Sequence, residues 1–177
     1  MLLSVGHGRL DREAFTALLA AAGVESLVDI RRYPGSRSNP DVNTDAMAEW
    51  LPAAGITYRV DERLGGRRRL PAGAPNEDPW WQVEQFAAYA AHTRSPEFGS
   101  ALTELLEQSA GTITAMMCSE SVWWRCHRRL VADVAVMERL VSVEHLMHDG
   151  RRTLHVPASG ARLRPDGAVV WDVPADD

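Results

Sequence analysis

The chain contains no lysine, and all nineteen of its basic residues are arginine. GC-rich coding accounts for that bias without a functional cause, so the absence by itself assigns nothing. Cysteine is almost as scarce, with two in 177 residues. That excludes a disulfide-built scaffold and, in a reducing compartment, leaves both thiols available for packing, reactivity or metal. Long apolar runs are missing too: none approaches the roughly 20 residues of a membrane span. The opening Met1-Leu-Leu-Ser-Val-Gly-His7 carries no basic leader, so neither a secretory signal nor a membrane partner is expected, and the expected location is cytoplasmic. The net charge of −5 argues against adhesion to nucleic acid through bulk electrostatics. A chain of this length suits one domain over residues 1–177, able to bury roughly 70% of its unfolded surface without staples. Composition carries no sign of oligomeric state.

Strand and helix signals alternate, which predicts an α/β fold: a single-domain, three-layer, Rossmann-like arrangement with a mainly parallel sheet. Strands are expected at Leu2–Val5, Ser26–Ile30, Ile56–Val60, Thr112–Met117 and Leu140–Leu146. Asp11 caps the first expected helix, with Leu10 and Phe15 as a hydrophobic staple and Gly23 as its end. Thr44 caps a second, which Pro52 should truncate or kink near Leu51. Further helices are expected from Trp80 to His92, from Pro96 to Gln108 with Ser95 as cap, and from Val122 to Met137 with Ser121 as cap. Residues 61–79 read as a long loop, uncommon unless it serves as a lid or binding segment. Thr153–Val156 and Ala168–Val173, around the turn Arg164-Pro-Asp-Gly167, form a short C-terminal β addition. The α/β core then covers about residues 2–147 and the extension about 148–177.

Right-handed crossovers return parallel strands in one direction, so the loops after strands one to four should open on a single sheet edge. That edge would gather Gly6, His7 and Arg9, Asp29 with Arg31, Arg32 and Arg37, Gly65, Gly66 and Arg67, and the segment from Cys118 to Arg128. Glycines at 6 and 8 would let backbone N–H groups approach an anion, aided by the following helix N-terminus. Gly-His-Gly is neither a dinucleotide fingerprint nor a phosphate loop, however, and a tight turn is its favoured sole purpose.

The densest chemistry is Cys118-Ser-Glu-Ser-Val-Trp-Trp-Arg-Cys-His-Arg128, at the junction of an expected buried strand and a helix. Cys118 ends the strand, where a core thiol and a reactive one are both reasonable. Cys126 continues the inward stripe of Val134 and Leu130, but a helix dipole and neighbouring arginines would also favour its thiolate. Glu120 suits a general base or an ion pair, and His127, like His7, a proton carrier or a hydrogen-bonded core imidazole. Trp123 beside Arg125 suits stacking on a base with a cation on phosphate, or simple coverage of the core. No cofactor is expected. A metal held by Cys118, Cys126 and His127 is the less favoured alternative, because the spacing is no known zinc pattern and a fourth ligand is missing.

Across these segments the chain resembles the family called the domain of unknown function numbered 488. The matching residues are Ser4-Val-Gly-His7, Val28-Asp-Ile-Arg31 with Pro34 and Ser36, Leu64-Gly-Gly66, Phe86 with Tyr89, Met117-Cys-Ser-Glu120 and Cys126-His-Arg128, extended by Val143–Leu146. The resemblance covers about residues 2–147. Relatives look to carry a proline where this chain has Trp123, which implies a differently built helix start. The resemblance implies the fold and the site, not a reaction.

Three function classes follow. The favoured one is binding of a phosphate-bearing ligand, a nucleotide or nucleic acid, with arginines on phosphate and Cys118, Glu120, Cys126 and His127 acting on it. The alternatives are a non-catalytic module for a nucleotide or single-stranded nucleic acid, and a metal- or redox-sensing thiol protein.

Overall fold

Successive strand side chains point to opposite faces, and a sheet covered by helices on both sides needs apolar residues on each. In the computed structural model, which describes residues 1–174, the core elements are β1 (Leu2–Gly6), α1 (Arg12–Ala21), β2 (Ser26–Asp29), α2 (Thr44–Ala53) and β3 (Thr57–Val60). They continue with α3 (Glu84–Thr93), α4 (Pro96–Gly111), β4 (Thr114–Cys118), α5 (Arg128–Met137) and β5 (Val143–Leu146). The C-terminal strands are β6 (Arg152–Leu154), β7 (Ala161–Leu163) and β8 (Val169–Trp171). Residues 175–177 of the expected extension lie outside the described residues.

The main sheet runs β3-β2-β4-β1-β5-β6, parallel throughout except for β6. From β1 to β3 the chain moves toward one edge, and from β3 to β5 it moves back. Right-handed crossovers therefore place α1 and α2 on one face and α3, α4 and α5 on the other. The two buried clusters follow this division. Leu3, Val5, Leu27, Ala115 and Met117 pack with α1 and α2, while Leu2, Val28, Met116 and Val143 pack with α3 to α5. The three-layer α/β arrangement expected from the sequence is present. The same alternation carries Ser4, Cys118 and His145 to the α5 face, two residues on from Leu2, Met116 and Val143.

Several boundaries differ from expectation, each for a tertiary reason. The helix expected from Trp80 begins at Glu84, because Trp80 N–H donates to the Trp171 carbonyl and Asp78 is held by Arg94 and by Trp171 N–H. Pro52 does not truncate α2 at Leu51; it sits in the last turn, and the helix runs to Ala53. Strand five starts at Val143 rather than Leu140, whose left-handed backbone (φ 55°) follows the end of α5. The long loop begins with a 3-10 turn at Glu62–Leu64, and Arg68 ties it down by donating to the carbonyls of Glu62, Arg63 and Gly65. The C-terminal addition is split: β6 pairs with β5, and β7 pairs with β8 around the turn at Arg164–Gly167.

Asp133 of α5 fixes the C-terminal segments to the core. Its buried carboxylate accepts from His155 Nε2 (2.7 Å), the Ala158 N–H (3.1 Å) and Trp171 Nε1 (2.8 Å). Removing an acceptor shared by three buried donors leaves all of them unpaired. Asp133→Ala should lower unfolding free energy by about 3–5 kcal/mol in chemical denaturation, and Asp133→Asn by less. A loss below about 1 kcal/mol for the alanine variant would show that these donors find other partners.

Candidate functional site

The carboxyl ends of β1, β2 and β4 open on one edge, where loops from all three meet. β1 and β4 stay zipped beyond their ends: His7 N–H donates to the Cys118 carbonyl and Gly8 N–H to that of Ser119. Those amides are therefore occupied, contrary to the expectation that this turn would offer them to an anion. Gly6 is needed for another reason. A Cβ there would lie 1.7 Å from the Glu120 carbonyl oxygen, so only glycine lets the β4–α5 loop cross over β1.

That loop is built differently from the helix start expected at Val122. Trp123–Arg125 form a 3-10 turn, Cys126 is extended (φ −130°, ψ 151°), and α5 begins only at Arg128. The extended residue turns the Cys126 sulfur inward, in front of the helix N-terminus rather than along its apolar stripe. Arg128 then inserts beneath the loop and is 1% exposed. Its guanidinium donates from Nε to Cys126 Sγ (3.4 Å), from Nη1 to Ser4 Oγ (3.3 Å) and from Nη2 to the Glu120 carbonyl. No carboxylate of the described residues forms an ion pair with it. A buried cation without a counter-charge is costly, and the adjacent sulfur is the group able to supply one.

The two thiols respond in opposite directions. Burial alone would raise the Cys126 pKa, but the hydrogen bond from Cys118 and the Arg128 guanidinium bring it down to about 6. Cys118 is pushed up to about 12, first by that same hydrogen bond to Cys126 and then by burial. His127 lies between them, with Nδ1 3.6 Å from Cys126 Sγ and 3.8 Å from Cys118 Sγ. Its Nε2 is 3.2 Å from the Ile30 carbonyl, which can only accept, so Nε2 carries a proton and donates to it, while Nδ1 faces the sulfurs. Tyr89 packs edge-on to this ring at 5.0 Å, and its hydroxyl donates to the Leu64 carbonyl. Gly66 lies so close that a Cβ would meet His127 Nδ1 at 2.9 Å.

Both thiols and the imidazole line a cavity of about 310 Å³. Around it stand His7, Arg31, Arg32, Gly66, Arg67 and Glu120, all anticipated from sequence, together with Arg125, Tyr33, Ser36, Gln85, Phe86 and Tyr89. Arg31 is fixed by a bidentate pair with the buried Asp29 (2.8 and 2.5 Å) and extends Nη1 to His7 Nε2 (3.3 Å). Burial, then Arg31, lowers the His7 pKa to about 4, so its imidazole is neutral near pH 7 and accepts from Arg31. Arg67 is exposed at the rim in a left-handed conformation (φ 56°), backbone strain of the kind that collects at functional sites. Glu120 is exposed and lines the cavity.

Other anticipated residues do not reach the lining. Asp29 accepts from Arg31 and the Tyr58 hydroxyl, so it positions an arginine instead of meeting a ligand. Arg128 acts beneath the floor. Gly6 lies under Glu120 and Gly65 against the backbone of Arg32. Arg9 is exposed elsewhere, and Arg37 borders a separate shallow depression with Thr44 and Asp45. Trp123 stacks on His145 at 3.9 Å between ring centroids, which removes one face from use by a base. Phe86, Tyr89 and Ser36, absent from the anticipated site, are among the residues that carry the family resemblance; no spacing rule would have found Gln85 or Tyr33.

The family model described as Domain of unknown function DUF488 matches residues 11–135. The chain belongs to this family. The DUF488 match is narrower than the resemblance over residues 2–147, leaving out His7 and Val143–Leu146, but it contains both thiols, Glu120, His127, Arg31 and Arg128. No curated protein and no solved structure matches the chain. Among the described residues no helix is long and apolar enough to cross a membrane.

Because alkylating agents react with thiolate, a Cys126 thiol ionising near pH 6 should stay reactive at neutral pH and lose reactivity as the pH falls below that value. Iodoacetamide kinetics followed by mass spectrometry should show one fast thiol, Cys126, half-maximal near that pH. Arg128→Gln should move the midpoint upward, and Arg128→Lys should move it less. A wild-type midpoint above about 8 would mean that neither thiol is ionised by its surroundings.

Proposed function

We propose that this protein binds a phosphate-bearing ligand in the cavity at the carboxyl ends of β1, β2 and β4 and acts on it through the Cys126 sulfur. The reading is carried by one juxtaposition: Arg31, Arg32, Arg67 and Arg125 surround a small opening whose floor is Cys118, Cys126 and His127. Guanidinium groups suit the planar, bidentate recognition of phosphate oxygens. Attack of the Cys126 sulfur on phosphorus forms a sulfur–phosphorus bond as the bond to the departing oxygen breaks. That oxygen leaves with the bonding pair and takes a proton from solvent. Water then cleaves the sulfur–phosphorus bond, giving its proton to Glu120 and returning the thiolate. His127 keeps both sulfurs oriented toward the opening. Chemistry of this kind suits a reducing, cytoplasmic setting, in which both thiols stay unpaired.

A nucleotide or a single strand of nucleic acid fits better than free phosphate, because the cavity continues into a groove lined by Arg32, Tyr33, Arg67, Arg68 and Arg69. Tyr33 is 64% exposed there and offers a face for a base. A non-catalytic module of the same specificity would use the arginines and leave the thiols idle.

Thermal-shift and calorimetric titration with inorganic phosphate, mononucleotides and short single-stranded oligonucleotides tests the reading. At least one of these anions should stabilise the protein, and the Arg67→Ala/Arg125→Ala double variant should bind it at least tenfold more weakly, about 1.4 kcal/mol. Cys126→Ser should retain binding and lose turnover. No response to any anion, or equal binding by the double variant, would overturn the proposal; equal turnover by Cys126→Ser would reduce it to a binding function.

A further inference from the structure

The floor of the cavity has the geometry of a metal site, a reading that goes beyond anion binding and does not depend on it. Cys118 Sγ, Cys126 Sγ and His127 Nδ1 all lie within 4.8 Å of one another. A tetrahedral zinc ion with bonds of about 2.3 Å to sulfur and about 2.0–2.1 Å to nitrogen sets nitrogen–sulfur edges of about 3.6 Å. The observed edges are 3.6 and 3.8 Å. Both nitrogen–sulfur edges therefore match those of a tetrahedral ion, and the sulfur–sulfur edge lies within 4.8 Å.

Three further features belong to metal sites rather than to a packed core. The imidazole turns Nδ1 to the sulfurs while Nε2 donates to the Ile30 carbonyl, the outer hydrogen bond that metal-bound histidines use to fix tautomer and orientation. Arg128 donates to the Cys126 sulfur, as outer donors do to bound thiolates. All three residues line the cavity, which leaves room beside them for a fourth ligand that is not protein. The missing fourth ligand, which counted against a metal from sequence, is what a site with an exchangeable position needs.

We infer that Cys118, Cys126 and His127 bind one zinc(II) ion, leaving its fourth position open toward Glu120 and the arginines. Two thiolates and an imidazole select a thiophilic divalent ion over magnesium or calcium, which take oxygen ligands. The occupied and empty states exclude one another chemically. With zinc bound, the Cys126 sulfur is a ligand and no longer a nucleophile, and a phosphate oxygen or water can take the open corner.

Cobalt(II), a spectroscopic stand-in for zinc, tests the site in the full-length, reduced protein. Wild type should bind one equivalent and show the intense visible bands of tetrahedral cobalt with sulfur-to-metal charge transfer. Equimolar zinc should bleach these bands and slow alkylation of Cys126 at least tenfold. Cys118→Ser and His127→Gln should each weaken binding at least tenfold, whereas Arg67→Ala/Arg125→Ala, which weakens the anion, should leave the cobalt spectrum unchanged. Absence of a one-to-one tetrahedral spectrum in wild type, or an unchanged spectrum in both ligand variants, would overturn the metal site while leaving anion binding to be judged by its own titration.

Discussion

A guanidinium withdrawn from water needs a counter-charge, and for Arg128 the nearest group able to provide one is a sulfur. The contact at 3.4 Å to Cys126 is accompanied by bonds to Ser4 and to the Glu120 carbonyl, so one side chain joins β1 to both ends of the β4–α5 loop. The rest of the site depends on this junction. It holds the loop over Gly6, directs Cys126 inward and leaves His127 between two sulfurs of opposite tendency. Ionising one thiol then offsets the cost of burying the arginine.

The topology explains why this junction has something to act on. With β4 inserted between β2 and β1, the ends of three adjacent strands carry Cys118, Asp29 and Gly6 to one edge. Strand alternation turns Ser4 and Cys118 toward α5, where Arg128 and Cys126 wait. On the neighbouring strand, buried Asp29 fixes Arg31 by two hydrogen bonds, so one of the cavity's cations is held rigidly while Arg32, Arg67 and Arg125 stand more openly. The cavity thus combines a fixed anionic sulfur with a surrounding set of cations.

Much of this was legible from residue order. The alternation of apolar runs predicted the three layers and the shared edge, and the density of thiols, carboxylate and imidazole after Thr112–Met117 marked the floor. What stayed illegible was set by contacts distant in sequence. Trp123 reads as a stacking residue until His145, on β5, is seen against its face. Arg128 reads as a phosphate ligand until its burial under Glu120 is seen, and Cys126 reads as a helical core residue because nothing local reveals the extended turn before α5. The start of α3 at Glu84 depends on Trp171, nearly ninety residues later. Residues that set direction and residues that meet ligand look alike in a string of arginines.

The ultraviolet absorbance of thiolate, read at neutral pH in metal-free protein, tests the Arg128–Cys126 pairing most directly. One thiolate per chain is expected, lost in Cys126→Ser and retained in Cys118→Ser. If the native protein shows none, with both thiols ionising only in alkali, Arg128 is buried without the counter-charge from which the rest of the account is built.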